Sequence, residues 1–89
     1  MPMHAMFVMM RVDPGHLYEV TDQIAMLEVA SEMYSIVGEY DLLLKIYVAD
    51  LAELGEVVTK RLHGIAHVRE TKTIVTFATF SLPPNATRR

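Results

Sequence analysis

Leu42-Leu43-Leu44-Lys45-Ile46-Tyr47-Val48 is an apolar run broken only by Lys45, and it follows directly on the turn sequence Gly38-Glu39-Tyr40-Asp41. A short, β-favouring apolar run behind a glycine turn reads as a strand in the middle of a sheet. Glycine at position 38 permits a backbone conformation that other residues resist. The segments before this strand deliver one strand and one helix to the sheet, and the segments after it repeat that delivery.

Residues 4–12, from His4 to Val12, are predicted to form the first strand. Met6, Val8, Met10 and Val12 share one face of it, and Ala5, Phe7, Met9 and Arg11 share the other. Both faces are largely apolar, so both need cover, one from a helix of this chain and the other from a partner sheet. Asp13-Pro14-Gly15 is a turn signal. A helix then runs from about His16 to Leu27, with Leu17, Val20, Ile24 and Leu27 spaced to face the sheet. No glycine marks its end. A second strand is expected over about Val29–Val37, in which Ala30, Tyr34 and Ile36 alternate with Ser31, Met33, Ser35 and Val37; the 38–41 turn folds it against 42–48 as a hairpin. Asp50 is placed to cap a second helix, with Glu53 completing a capping box. Leu54, Val57, Val58 and Leu62 then form a stripe interrupted by Arg61, and His63-Gly64 ends it. The last strand is expected over about Val68–Phe80.

The order βαββαβ is the ferredoxin-like, α+β arrangement: a four-stranded antiparallel sheet with two helices on one face. Residues 1–80 make one domain, and the proline-broken segment 81–89 reads as a flexible tail. At 52% hydrophobic, an 89-residue chain has more apolar surface than one small domain needs. Its outlet is an interface between copies. Net charge is −3 with lysine and arginine scattered, which leaves no nucleic-acid footprint. The chain has no cysteine. It has no stretch long and apolar enough for a membrane span and no signal-peptide start, so a cytoplasmic protein is expected.

Three segments, in order, resemble the effector-binding (RAM) domain of Lrp/AsnC-type transcriptional regulators. Val37-Gly38-Glu39-Tyr40-Asp41-Leu42-Leu43-Leu44-Lys45 is similar to that family's glycine–aromatic–aspartate hairpin. Leu62 to Thr73 is similar to its final helix exit and strand, with the Thr71-Lys72-Thr73 pair. Val12-Asp13-Pro14-Gly15-His16 resembles the end of its first strand and the start of its first helix. The resemblance spans about residues 4–80. One departure stands out: Ala66-His67 occupies the place where the family commonly has proline-glycine, which alters this turn and whatever fits beside it. Full-length members carry a DNA-binding helix-turn-helix that this sequence does not contain, so it reads as the stand-alone form, and DNA binding does not carry over. The resemblance implies a homodimer built by facing sheets, a dimeric α/β barrel, assembled further into tetramers, octamers or rings. It implies an amino-acid effector bound at contacts between dimers, and an indirect effect on transcription, through full-length family members as partners.

The candidate ligand-binding residues are Gly38, Glu39, Tyr40, Asp41, Thr71 and Thr73. A free amino acid offers a carboxylate, which seeks backbone N–H donors or a cation, and a tight glycine turn can present such donors together. It also offers an ammonium group, which Asp41 or Glu39 can meet. Thr71 and Thr73 can add hydroxyls if the fourth strand of a neighbouring copy lies close. The plainer alternative is that Asp41 closes the turn through its backbone and Tyr40 packs at an interface. His63 and His67 have the four-residue spacing of a helical metal pair, but Gly64 breaks the helix between them. They read as exposed turn histidines, and no metal or cofactor is expected. The methionines read as soft packing. With no nucleophile motif and no phosphate-cradling glycine loop, the chain is not expected to be an enzyme.

Two other readings stay open. Cofactor-free monooxygenases and some isomerases share the dimeric α/β barrel, and fold does not fix function. The monooxygenases rely on tryptophan and asparagine in a cavity, whereas this chain has no tryptophan and its asparagine is Asn85, in the tail. An enzyme would hold a roomy polar cavity within each subunit; a sensor would have a filled core. The third reading is a structural oligomer with no ligand.

Overall fold

β1 (His4–Val12) and β3 (Leu42–Val48) are the two interior strands of the sheet. A computed structural model of the chain describes residues 3–78 and 80. Its sheet has four strands in the order β2-β3-β1-β4, with β2 spanning Glu32–Ser35 and β4 spanning Val68–Ile74, and every pairing is antiparallel. The register follows from the alternation in the sequence. Val8 lies opposite Leu44, and Met10 opposite Leu42. Met6, Val8, Met10 and Val12 of β1 and Leu42, Leu44, Ile46 and Val48 of β3 are all buried on the helix side. The element order and the sheet confirm the ferredoxin-like α+β arrangement.

Helix α1 (Leu17–Leu27) buries Val20 and Ile24 in that core, with Leu17 and Leu27 packed against its margin. It stops without glycine: Glu28 itself takes the left-handed conformation, φ 56°, and its N–H donates to Ala25 O at 3.2 Å. Helix α2 (Leu51–Glu56) starts at Asp50, whose carboxylate accepts the Glu53 N–H at 2.8 Å. Glu53 reaches back to the Ala49 N–H at 2.9 Å, one residue earlier than an ideal capping box. The helix continues without a break into a π-helical stretch, Val57–Leu62, closed by a bond from His63 N–H to Val58 O at 3.1 Å. Wider helical turns of this kind recur near functional sites. Leu54, Val58, Leu62 and Ile65 are buried, while Arg61 is exposed. No polar or charged side chain is buried among the described residues, so the space between sheet and helices is filled with apolar groups.

Two strands are shorter than expected. Residues 29–31 do not join β2. Val29 and Ala30 pack on the core below the end of α1, and Ser31 gives both its N–H and its hydroxyl to Lys45 O, at 2.8 and 3.1 Å. After Ser35 the chain already turns, with Ile36 N–H donating to Asp41 O at 3.0 Å. The inward residue of β2 is Met33, opposite Leu44, and Tyr34 points to the other face. β4 stops at Ile74, opposite Phe7. One step further the ladder gives way to a side-chain bond, from the Thr76 hydroxyl to Ala5 O. The expected tail, 81–89, lies outside the described residues.

The helix-free face carries Phe7, Met9, Leu43 and Ile74 together with a polar edge. There Glu32 meets Lys45 at 3.4 Å and accepts the Tyr34 hydroxyl, and Lys45 lies 5.1 Å from the centre of the Tyr47 ring. The Tyr34 hydrogen bond, reinforced by Lys45, holds the Glu32 carboxyl below its ordinary value. The same bond, which uses the phenol proton, pushes Tyr34 up. The contribution of Glu32 to stability is therefore full above the ordinary glutamate range and fades as pH falls through the lowered value. Tyr34→Phe is expected to raise the Glu32 pKa toward normal in a carboxyl-carbon NMR titration; an unchanged midpoint would show that the hydroxyl does not hold the carboxylate.

Candidate functional site

Three connections gather at one end of the sheet, because β1 and β2 finish there while β3 and β4 begin there. They are the β1–α1 turn at 13–16, the β2–β3 turn at 36–41, and the turn at 63–67 leading into β4. Gly38, at φ 140°, gives the second of these its reversal, and open space surrounds the position.

Asp41 ties this end together. Its carboxylate accepts the Val12 N–H at 2.8 Å, and its own N–H donates to Met10 O at 2.9 Å. Both bonds fasten the turn to the end of β1, where the pairing with β4 slips between Arg11 and Val12. One carboxylate oxygen is thus committed to structure, in line with the plainer alternative for this residue, and the other makes no hydrogen bond among the described residues. Asp41 also lines a cleft of about 190 Å³ whose opposite wall is Asp13, Pro14 and Leu17. Glu39 is exposed, and Tyr40 is half-buried under the Arg11 guanidinium, 5.4 Å from ring centre to Cζ.

Of the expected site residues, Gly38, Glu39, Tyr40 and Asp41 stand together. Thr71 and Thr73 do not join them within one chain. Met10 pairs with Leu42 on one side and Thr71 on the other. Two strand spacings, roughly 10 Å, therefore separate Thr71 from the start of β3. The Thr71 hydroxyl is bonded to His63 Nε2, and Thr73 is exposed on the edge strand.

Sequence reasoning missed two features. The first is Arg11, whose guanidinium lies over the Tyr40 ring of the turn. Its Nε, shielded from solvent, has no hydrogen-bond partner among the described residues, and it forms an ion pair with Glu70 Oε2 at 3.8 Å, beyond hydrogen-bond reach. Alternation put Arg11 on the helix-free face, but nothing local linked it to Tyr40. The second feature is His67, which is not a simple exposed turn histidine. It adopts φ 73°, a glycine-like backbone, at the place where the resemblance expects glycine. Its ring stacks on His16 with centroids 3.5 Å apart and planes 9° apart. His67 Nδ1 lies 3.3 Å from Asp13 Oδ2, and Arg69 Nε lies 3.4 Å from Asp13 Oδ1. His63, the partner that the four-residue spacing suggested, is turned to Thr71 instead. Beside His67, between α1 and the π-helical stretch, is a surface cleft of about 750 Å³ with Glu19 and Asp22 on one wall and Lys60 and Arg61 on the other.

Residues 5–84 match the Lrp/AsnC ligand binding domain, and the chain belongs to that family. It is 38% identical over 76 residues to an uncharacterized HTH-type transcriptional regulator of Pyrococcus furiosus, covering 82% of this chain and 51% of the relative. The chain thus spans about half the length of the curated relatives it matches. Among solved structures it is similar to TTHA0845 from Thermus thermophilus, with TM-score 0.84 and 30% identity, over 90% of this chain and 100% of that one. The E. coli AsnC structure shares the fold at TM-score 0.82 and 15% identity, over 89% of this chain and 54% of that one. No helix among the described residues is long and apolar enough to cross a membrane.

Asp41→Ala is expected to cost about 1–3 kcal/mol in chemical denaturation, because it strands the partly buried Val12 N–H. Asp41→Asn, which keeps a carbonyl acceptor, is expected to recover most of that loss. Equal stability of all three proteins would show that the tie carries no energy.

Proposed function

We propose that the chain is the effector-binding, self-assembling part of a regulator, and that its effector is a free amino acid taken up beside the Gly38–Asp41 turn at contacts between dimers. The observation that supports this best is that the turn carries an acid and has a cation over its aromatic residue. Arg11, which is ion-paired with Glu70 at 3.8 Å, lies over the Tyr40 ring, and the exposed Glu39 precedes Tyr40 in the chain. An α-carboxylate would find Arg11 and the turn N–H groups; an α-ammonium would find Glu39, or the Asp41 oxygen that does not bond Val12. Thr73 of a neighbouring copy is better placed than Thr71 to add a hydroxyl, since Thr71 already serves His63.

Self-assembly is supported by the helix-free face. Tyr34 and Tyr47 are 47% and 44% exposed there, Ile74 is 39% exposed, and Phe7, Met9 and Leu43 lie between them. A second copy laid sheet to sheet would cover this face, forming the dimeric α/β barrel. Val75 and Phe77, both exposed, lie instead beside Met6 and Leu51, where α2 begins, and offer a second apolar patch for larger assemblies. The effect on transcription would then be indirect, through helix-turn-helix relatives that share the domain. The enzyme reading is weaker, because the space under the helices is filled and the large cleft lies on the surface.

Isothermal titration of the wild-type protein with each of the twenty amino acids tests this reading. At least one is expected to bind, and Glu39→Gln and Arg11→Met are each expected to weaken it by about 1–3 kcal/mol. No heat from any of the twenty, or binding indifferent to both substitutions, would overturn it.

A further inference from the structure

We propose that His16, Glu19 and His67 form a binding site for a divalent transition metal of the zinc, cobalt and nickel type, separate from the effector turn. The donor atoms of the three residues all lie within 4.8 Å of one another. His16 Nδ1 is 3.2 Å from Glu19 Oε1, and His67 Nε2 is 3.8 Å from Glu19 Oε2, so both imidazoles address one carboxylate. His16 and Glu19 are three residues apart at the start of α1, a spacing that puts them on one helix face. His67 arrives from the turn before β4.

Two imidazole nitrogens and one carboxylate oxygen are a donor set that borderline metals accept and that hard cations do not, since calcium and magnesium take oxygen ligands. Asp13 completes the pattern. Its Oδ2 lies 3.3 Å from His67 Nδ1. A proton held there leaves the Nε2 lone pair free on the Glu19 side, the carboxylate–histidine arrangement that orients metal ligands. Metal bonds of about 2.0–2.2 Å would draw the three donors closer than they now stand. The His16–His67 stack, with planes 9° apart, must also open, because each imidazole lone pair lies in its own ring plane, and torsions of these partly exposed side chains can supply that movement. Glu19 and His67 also line the 750 Å³ cleft, where Lys60 and Arg61 would favour a small anion in a remaining coordination position. A structural clasp between α1 and the last turn would need only one of these histidines, and position 67 has the backbone of a glycine.

The test is titration of the wild-type protein with Zn²⁺ by calorimetry and with Co²⁺ by visible absorption. One equivalent is expected to bind, with cobalt bands of a four- or five-coordinate site. His67→Gly suits φ 73° and is expected to fold with an equal or higher metal-free melting temperature, while binding either metal at least tenfold more weakly. Glu19→Gln is expected to weaken binding likewise, Asp13→Asn by about 10- to 100-fold, and His63→Ala to leave it unchanged. Absence of cobalt bands, wild-type affinity in His67→Gly, or loss in His63→Ala would overturn the site.

Discussion

The pairing of β1 with β3 is the constraint on which the rest depends. Both strands are largely apolar on both faces, and their register sends Met6, Val8, Met10 and Val12 to the same side as Leu42, Leu44, Ile46 and Val48. A slip of one residue would exchange the faces of the whole strand. The helices can cover one face only, since both crossovers are right-handed and return to the same side. What remains is a second face whose apolar centre has no cover within the chain. The Asp41 carboxylate, bonded to Val12 at 2.8 Å, pins the register at the end where the connecting turns gather. Fold, bare sheet face and the placement of the Gly38–Asp41 turn are thus consequences of one strand pair.

The interior of this fold was legible because its signals are local and repetitive. The alternation of β1, the run of β3 and the stripe of α1 each follow from a period of 2.0 or 3.6 residues. The edges were less so. β2 and β4 were expected to be longer because Ala30 and Ile36 continue an alternation around Tyr34 and because Val75 and Thr76 favour strands, yet a strand extends only as far as its neighbour offers backbone partners. Ser31 and Thr76 spend side-chain hydroxyls on the sheet where the ladder stops. The end of α1 was hidden because glutamate at position 28 takes the left-handed conformation usually given to glycine. The π-helical continuation of α2 leaves no mark in the hydrophobic spacing.

The candidate site divides in the same way. Gly38–Asp41 was legible because glycine, aromatic and acid fall in one short turn. Arg11 and the His16–His67 stack were not, since each is made by residues brought together only by the sheet. The departure at Ala66-His67 was visible in the sequence, and what it means physically is that a histidine holds a positive-φ position, φ 73°, against the ring of His16. Local spacing pointed His67 at His63 instead, because spacing along a helix says nothing of a partner across the domain.

The most direct measurement of the central claim, that a second copy covers the bare face of the β1–β3 pair, is molar mass by light scattering over a range of concentrations, for wild type and for Leu43→Glu. The account predicts a wild-type mass of at least twice the 10.1 kDa chain and a folded Leu43→Glu protein at or near the mass of one chain. A wild-type protein that stays at the mass of a single chain throughout would contradict it.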